Sequence, residues 1–250
     1  MIKDHESELA AVLVEPVQTS NLSLQPKEFL QQLRQLTKEA GIALIFDEMV
    51  SGFRIHPGGA QAWFGIQADL ATYGKIVGGG MPIGVIAGKA AYMDAIDGGM
   101  WNYGDDSYPQ AKKTFFAGTY CKHPLAMAAA RAVLKHLKSH GPSLQQQLNQ
   151  RTWQFTESLN AYFEEDRLPL RIENFGSVFG FTTLDTFADS KDSDLPDIRQ
   201  ILLYYDLIEK GILLRGNGGF LSTAHTDEDI NAIIQAVQES ITELRKGGFI

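Results

Sequence analysis

Leu9 to Val14 and Ile42 to Phe46 are short, unbroken apolar runs, and between them Phe29, Leu30, Leu33, Leu36 and Ala40 recur at helical spacing up to Gly41. A strand with no polar alternation is covered on both faces, as strands of a mostly parallel sheet are. Strand, helix, strand in that order is the βαβ unit of an open, largely parallel α/β sheet. Pro16 ends the first strand, since proline cannot donate to a ladder. Ser23 is the expected N-cap of the helix, with Pro26 near its first turn and Gly41 closing it.

In such sheets ligands bind beyond the carboxyl ends of the strands, and Asp47 begins where the second apolar run ends. A further strand from Asp69 to Tyr73 delivers Lys75 to the same edge, and Ile83 to Ala87 reads as another strand after a glycine turn. Lys75 is flanked by Tyr73, Ile76 and Val77 and followed by three glycines, residues that favour burial or close approach. Desolvation disfavours an ammonium, and a partly neutral lysine is a nucleophile able to form a Schiff base with a carbonyl. The other reading is a lysine whose stem packs on apolar neighbours while its head reaches water. Asp47 suits a helix or turn cap as well as a ligand contact. The run Gly78 to Gly84 lacks the spacing of a dinucleotide-binding loop and has Pro82 where a helix would begin, so it is read as a tight turn.

Asp97 to Ser107 reads as a loop, and Pro124 opens a helix carrying Leu125, Val133, Leu134 and Leu137 that stops near Gly141-Pro142. The domain boundary is expected there, giving residues 1–141 and 142–250. Beyond it come a long helix from Ser143 (Leu144, Leu148, Phe155, Leu159, Phe163), strand-like Leu170 to Ile172 and Val178 to Phe181, and a helix from about Pro196 to Lys210 capped by Gly211. The closing helix starts at Thr226-Asp227-Glu228-Asp229, close to a capping box, and buries Ile230, Ile233, Ile234, Val237, Ile241 and Leu244. That second region is a small α+β domain.

Composition narrows the function. Net charge is −8, from 22 basic and 30 acidic residues, without a basic run, which argues against nucleic acid as a partner. The single cysteine, Cys121, excludes an internal disulfide and any multi-cysteine metal site, and the scattered histidines contain no HExxH pair, so no metal is expected. The N-terminus has no apolar core of a leader and no apolar run spans a bilayer, so the expectation is a cytoplasmic protein without membrane contact.

A carboxylate and a Schiff-base lysine on one sheet edge are what pyridoxal phosphate requires: its aldehyde bonds the lysine, and a paired aspartate keeps the ring nitrogen protonated. The segments Leu44 to Arg54, Gly74 to Gly84, and Ala117-Gly118-Thr119-Tyr120 followed by Pro124 to Ala129 resemble, in order and spacing, the class III aminotransferases. The similarity runs over nearly all of the chain. Within that group the chain resembles the glutamate-1-semialdehyde aminomutases and, on Phe220 to Ile230 and the tail Lys246 to Ile250, more closely the aminotransferase domains of polyketide and nonribosomal peptide synthetases.

The resemblance implies a fold-type I pyridoxal-phosphate-dependent transferase, with residues 1–141 as the C-terminal part of the large parallel-sheet domain and 142–250 as the small α+β domain. The family's long N-terminal part has no counterpart ahead of Glu15-Pro16-Val17, so the chain is expected to be a truncated reading frame or an excised piece of a larger enzyme. By the same resemblance Lys75 bonds the cofactor and moves the proton, Asp47 pairs with the pyridinium nitrogen, and Met49 packs on one ring face. Thr119 reaches the phosphate from the neighbouring subunit of a homodimer with shared sites, and Glu15 and Glu48 line the same region. The implied reaction passes an amino group from a donor such as glutamate to a ketone or aldehyde, including a β-ketoacyl group held on an acyl carrier protein. The alternatives are an aminomutase and a catalytically incomplete fragment acting only in folding or dimerisation. Arg54, Arg171 and Arg215 are each read as a partner for a substrate carboxylate or as a solvated surface arginine.

Overall fold

A computed structural model describes residues 2–183, 198–216 and 218–250. The chain divides into two compact units, Met1–Gln18 with Leu24–Gln145, and Thr19–Ser23 with Gln146–Ile250.

The first unit holds the expected βαβ element: strand β1 (Ala11–Val14), helix α1 (Lys27–Glu39) and strand β2 (Ala43–Asp47). Strands β3 (Leu70–Tyr73) and β4 (Val85–Gly88) complete a sheet in the order β1-β2-β3-β4. β1, β2 and β3 are parallel, and β4 runs antiparallel to β3. Leu44 and Phe46 of β2 are fully buried, as their unbroken apolar run requires, and α1 contributes Leu30 and Leu33 to the core. Ser23 does not cap α1. The chain enters that helix through Pro26 with no side-chain cap, and the Ser23 hydroxyl donates to Asn21 instead. Two short helices, α2 (Gly59–Phe64) and α3 (Ala90–Asp97), were outside the expected elements, because six to eight residues give too little apolar period to read.

Asp69, one residue ahead of β3, ties the amino end of this sheet together. Its carboxylate accepts from the Leu44 amide (2.8 Å), from Arg34 Nη1 of α1 (2.7 Å) and from Lys89 Nζ just past β4 (2.6 Å). Burial alone would raise the carboxyl pKa, but the amide, the ammonium and the guanidinium together hold it at about 2.

Helix α4 (Pro124–Glu165) is interrupted at Gly141, whose φ of 57° leaves the helical region, and Pro142 follows, where the sequence signals a stop. The expected stripe ahead of Gly141 is only partly buried: Leu137 is inside, whereas Leu125 and Leu134 are 58% and 41% exposed, and the buried face is made by Ala126 and Ala130. A Cβ on Gly79 would lie 2.8 Å from Val133 Cγ2 and 3.7 Å from Ala129 Cβ, so the glycine turn sits directly on α4, and small side chains permit that approach.

The second unit packs an antiparallel sheet, β5 (Leu170–Phe175), β6 (Val178–Thr183) and β7 (Gly218–Phe220), in that order, against helices. Phe155, Leu159 and Phe163 of α4, Leu207 of α5 (Ile198–Glu209) and Val237 and Ile241 of α6 (Asp227–Lys246) form its core with Ile172. The capping box is present: the Thr226 hydroxyl accepts from the Asp229 amide while the Asp229 carboxylate accepts from the Thr226 amide. Pro196, the expected start of α5, lies outside the described residues. No helix among the described residues is long and apolar enough to cross a membrane, and none of their carboxylate, histidine and cysteine side chains form a group of three or more suited to a metal ion.

Replacement of Asp69 by Asn is expected to lower stability near neutral pH by about 2–3 kcal/mol. A depressed carboxyl pKa contributes stability above its ordinary value and loses it on acidification, so the gap between wild type and variant should narrow as pH falls from about 3.8 towards about 2. Urea unfolding across that range checks it.

Candidate active site

Because β1, β2 and β3 run the same way, their carboxyl ends form one edge, and Glu15, Asp47 and Lys75 lie at or just past those ends. Val14 pairs with Phe46 and Asp47 with Thr72, so Glu15, Asp47 and Thr72 stand in one row across the edge, with Lys75 three residues beyond Thr72.

Asp47 is half-buried. Its Oδ1 accepts from the Met49 amide at 3.0 Å and from Thr72 Oγ1 at 3.2 Å. The first bond is the turn cap weighed from sequence, and the second reaches the neighbouring strand. Both fall on one oxygen, and among the described residues Oδ2 is left for another donor.

Lys75 opens a 3₁₀ turn, Lys75–Gly78, with φ at 47°. The left-handed region costs a residue with a Cβ about 1–2 kcal/mol. Of the two readings, a desolvated amine and one whose head reaches water, the burial pattern matches the second: Lys75 is exposed while Gly74, Val77 and Gly78 around it are buried. The close approach permitted by the glycines is taken by the protein itself: a Cβ on Gly78 would lie 2.9 Å from Ile83 Cγ2. Gly79 and Gly80 both have positive φ and close the tight turn expected from sequence. Met49 joins this site. A Cβ on Gly74 would lie 2.4 Å from Met49 Cε and 3.0 Å from its Sδ, so the thioether rests on the backbone that leads into Lys75.

Glu48 has a different task. It is 1% exposed, its Oε2 accepts from Ser51 Oγ (2.8 Å) and the Ala60 amide (2.7 Å), and its Oε1 accepts from the Gln61 amide (3.0 Å). A carboxylate suits these amides at the start of α2. Gly59, at φ 65°, leaves the room: a Cβ there would meet Glu48 Oε2 at 2.4 Å. Burial first, and the Glu48 charge second, push the Tyr73 phenol pKa up, and that phenol accepts from Gln61 Nε2 at 3.1 Å. Glu48 thus fastens the loop from Ser51 to Gln61, and the three donors named occupy both of its oxygens.

Thr119 lies in the exposed segment between α3 and α4, with Met100, Tyr103, Phe115 and Tyr120 exposed in the same stretch, and Cys121 is an exposed free thiol. Arg54 is half-buried and donates through Nε to the Val50 carbonyl at 3.0 Å; desolvation pulls its pKa down to about 10, still cationic at neutral pH. Arg171 and Arg215 are exposed in the second unit. Thr72 and Ser51 were missed from sequence. Thr72 reads there as one more β-branched residue in a strand, and only the β2–β3 register shows what it faces.

Known proteins share this arrangement of elements. The model of the class III aminotransferase family matches residues 1–241. A glutamate-1-semialdehyde 2,1-aminomutase of Alkaliphilus oremlandii is 34% identical over 252 residues, which cover 98% of this chain and 55% of that protein. The solved omega-transaminase of Sphaerobacter thermophilus superposes with a TM-score of 0.82 at 29% identity, over 98% of this chain and 54% of the other. A transaminase structure with PLP bound gives 0.83 at 28% identity, over 100% and 55%. The chain spans about half the length of the proteins it matches.

Substitution of Glu48 by Gln should cost about 2 kcal/mol, because an NH₂ replaces an acceptor among donors that stay buried. Denaturant unfolding reads that loss, and limited proteolysis should show faster cleavage between Ser51 and Gln61.

Proposed function

This chain belongs to the class III aminotransferase family, and we propose that it forms the C-terminal part of a pyridoxal-phosphate-dependent enzyme that moves an amino group from a donor such as glutamate to a ketone or aldehyde. The observation that carries this reading is the sheet edge on which one oxygen of Asp47 has no donor among the described residues, with Met49 against Gly74 and Lys75 two residues past the end of the next strand. That set of groups fits the cofactor: a carboxylate for the ring nitrogen, a thioether for the ring face, and a primary amine for the aldehyde.

When bound, pyridoxal phosphate supplies an aldehyde that holds the amino group and a ring that accepts electron density from the substrate carbon. Asp47 Oδ2 would hold the proton on the ring nitrogen. Met49 would keep water off one ring face, and Lys75 Nζ would hold the aldehyde carbon and then carry a proton to and from the carbon that bears the amino group. Lys75 is exposed, which leaves it open to a carbonyl compound. Thr119 would serve the phosphate of a second copy in a homodimer, a reading supported by its exposure among unburied aromatic side chains. Glu15, level with Asp47 in the register, is the remaining carboxylate of the row. Residues 1–141 would be the C-terminal part of the cofactor domain and 142–250 the small domain. Among the described residues β1 and β4 each have one strand partner, which supports completion of the sheet by a further polypeptide such as the portion of the relatives this chain does not span.

A carrier-bound β-ketoacyl substrate rests on Phe220 to Ile230 and the tail, and it would need no carboxylate clamp from Arg171 or Arg215. The second reading, an intramolecular amino shift, is supported by the name of the Alkaliphilus relative and uses the same residues. Product formation that depends on an added amino donor favours transfer, and product formation without one favours the shift.

Treatment of the chain with pyridoxal phosphate, borohydride reduction and peptide mass mapping should put the pyridoxyl label on Lys75 and lose it in Lys75→Ala. A label spread over other lysines, or unchanged in the variant, would sink the assignment.

A further inference from the structure

We propose that Thr72 is a positioning residue that decides which oxygen of Asp47 faces the cofactor; this rests on the reading above, in which Asp47 holds the ring nitrogen. Rotation of an aspartate carboxylate about its last torsion is broad and two-fold, so its oxygens interchange unless something distinguishes them. Two donors do so here, the Met49 amide at 3.0 Å and Thr72 Oγ1 at 3.2 Å, both on Oδ1. They differ in what they connect. The amide belongs to the segment that carries Asp47, so it travels with that residue.

Thr72 belongs to β3, the strand that presents Lys75 three residues later. Its carbonyl also accepts from the Glu48 amide at 3.0 Å, so the residue faces β2 through both backbone and side chain at the pair Asp47↔Thr72. The hydroxyl is therefore a side-chain link, at the carboxyl end, between the strand that presents the carboxylate and the strand that leads to the amine. With Oδ1 held, Oδ2 points to one place relative to Lys75. The competing view is that Thr72 serves only as a β-branched strand residue, for which valine would do as well or better.

Thr72→Val keeps the shape and removes the donor, Thr72→Ser keeps the donor, and Asp47→Ala removes the acceptor. In the cofactor-free chain a double-mutant cycle by urea unfolding should show Thr72→Val lowering the folding constant about fivefold with Asp47 present and having no effect in Asp47→Ala. Titration with pyridoxal phosphate, followed by tryptophan fluorescence, should show Thr72→Val weakening binding about fivefold and Thr72→Ser restoring it. The pH at which the visible band of the lysine-bound cofactor changes should move in Thr72→Val and return in Thr72→Ser.

Absence of coupling in the cycle overturns the inference, as does equal loss in the valine and serine variants, which would mark a purely structural role. Unchanged cofactor binding in Thr72→Val, with binding lost in Asp47→Ala, overturns the inference and leaves the reading of Asp47 standing. An Asp47→Ala chain that takes up the cofactor as the wild type does sinks that reading and the inference with it.

Discussion

The parallel pairing of β2 with β3 is the constraint on which the rest of the first unit depends. Ile45 opposite Leu70 and Asp47 opposite Thr72 fix which side chains share a row, and a slip by one residue would turn every side chain to the other face. The pairing is held at both ends by carboxylates. At the amino end Asp69 accepts from the β2 backbone, from α1 and from the residue past β4, and it is nearly closed to water. At the carboxyl end Asp47 makes fewer and longer bonds and remains half-buried. One end is built to stay fixed, and the other keeps an oxygen in reserve.

Asp47 and Glu48 are adjacent in sequence and alike in chemistry, yet their surroundings separate them. Consecutive residues leaving a strand point to opposite sides. Glu48 falls inward among amide donors, where a carboxylate is stabilised by fixed dipoles and becomes part of the scaffold. Asp47 stays at the rim. A carboxylate engaged through one oxygen and one engaged through both therefore lie side by side, and what distinguishes them is how many donors the fold supplies.

How far the sequence discloses this follows from the range of the interactions. The βαβ element, the Lys75 turn and the capping box at Thr226 were readable because apolar period, glycine placement and cap spacing are local signals. The motifs around Asp47 and Lys75 also carried the family. The task of Glu48 was not readable, because its partners Ala60 and Gln61 are backbone amides a dozen residues on that any side chain would supply. The buried face of α4 was not readable either: the apolar stripe is carried by leucines, yet Ala126 and Ala130 lie inside and the glycine turn comes against Ala129 and Val133. The space that Gly78 and Gly79 open is likewise taken by Ile83 and Val133, partners that no local signal announces.

Lys75 sits in the left-handed backbone region, where glycine or asparagine would be at ease and lysine is not. Either replacement would relieve that strain and remove an exposed flexible side chain. A lysine at that position is therefore carried at a cost in backbone energy, which the packing around the glycine turn has to offset.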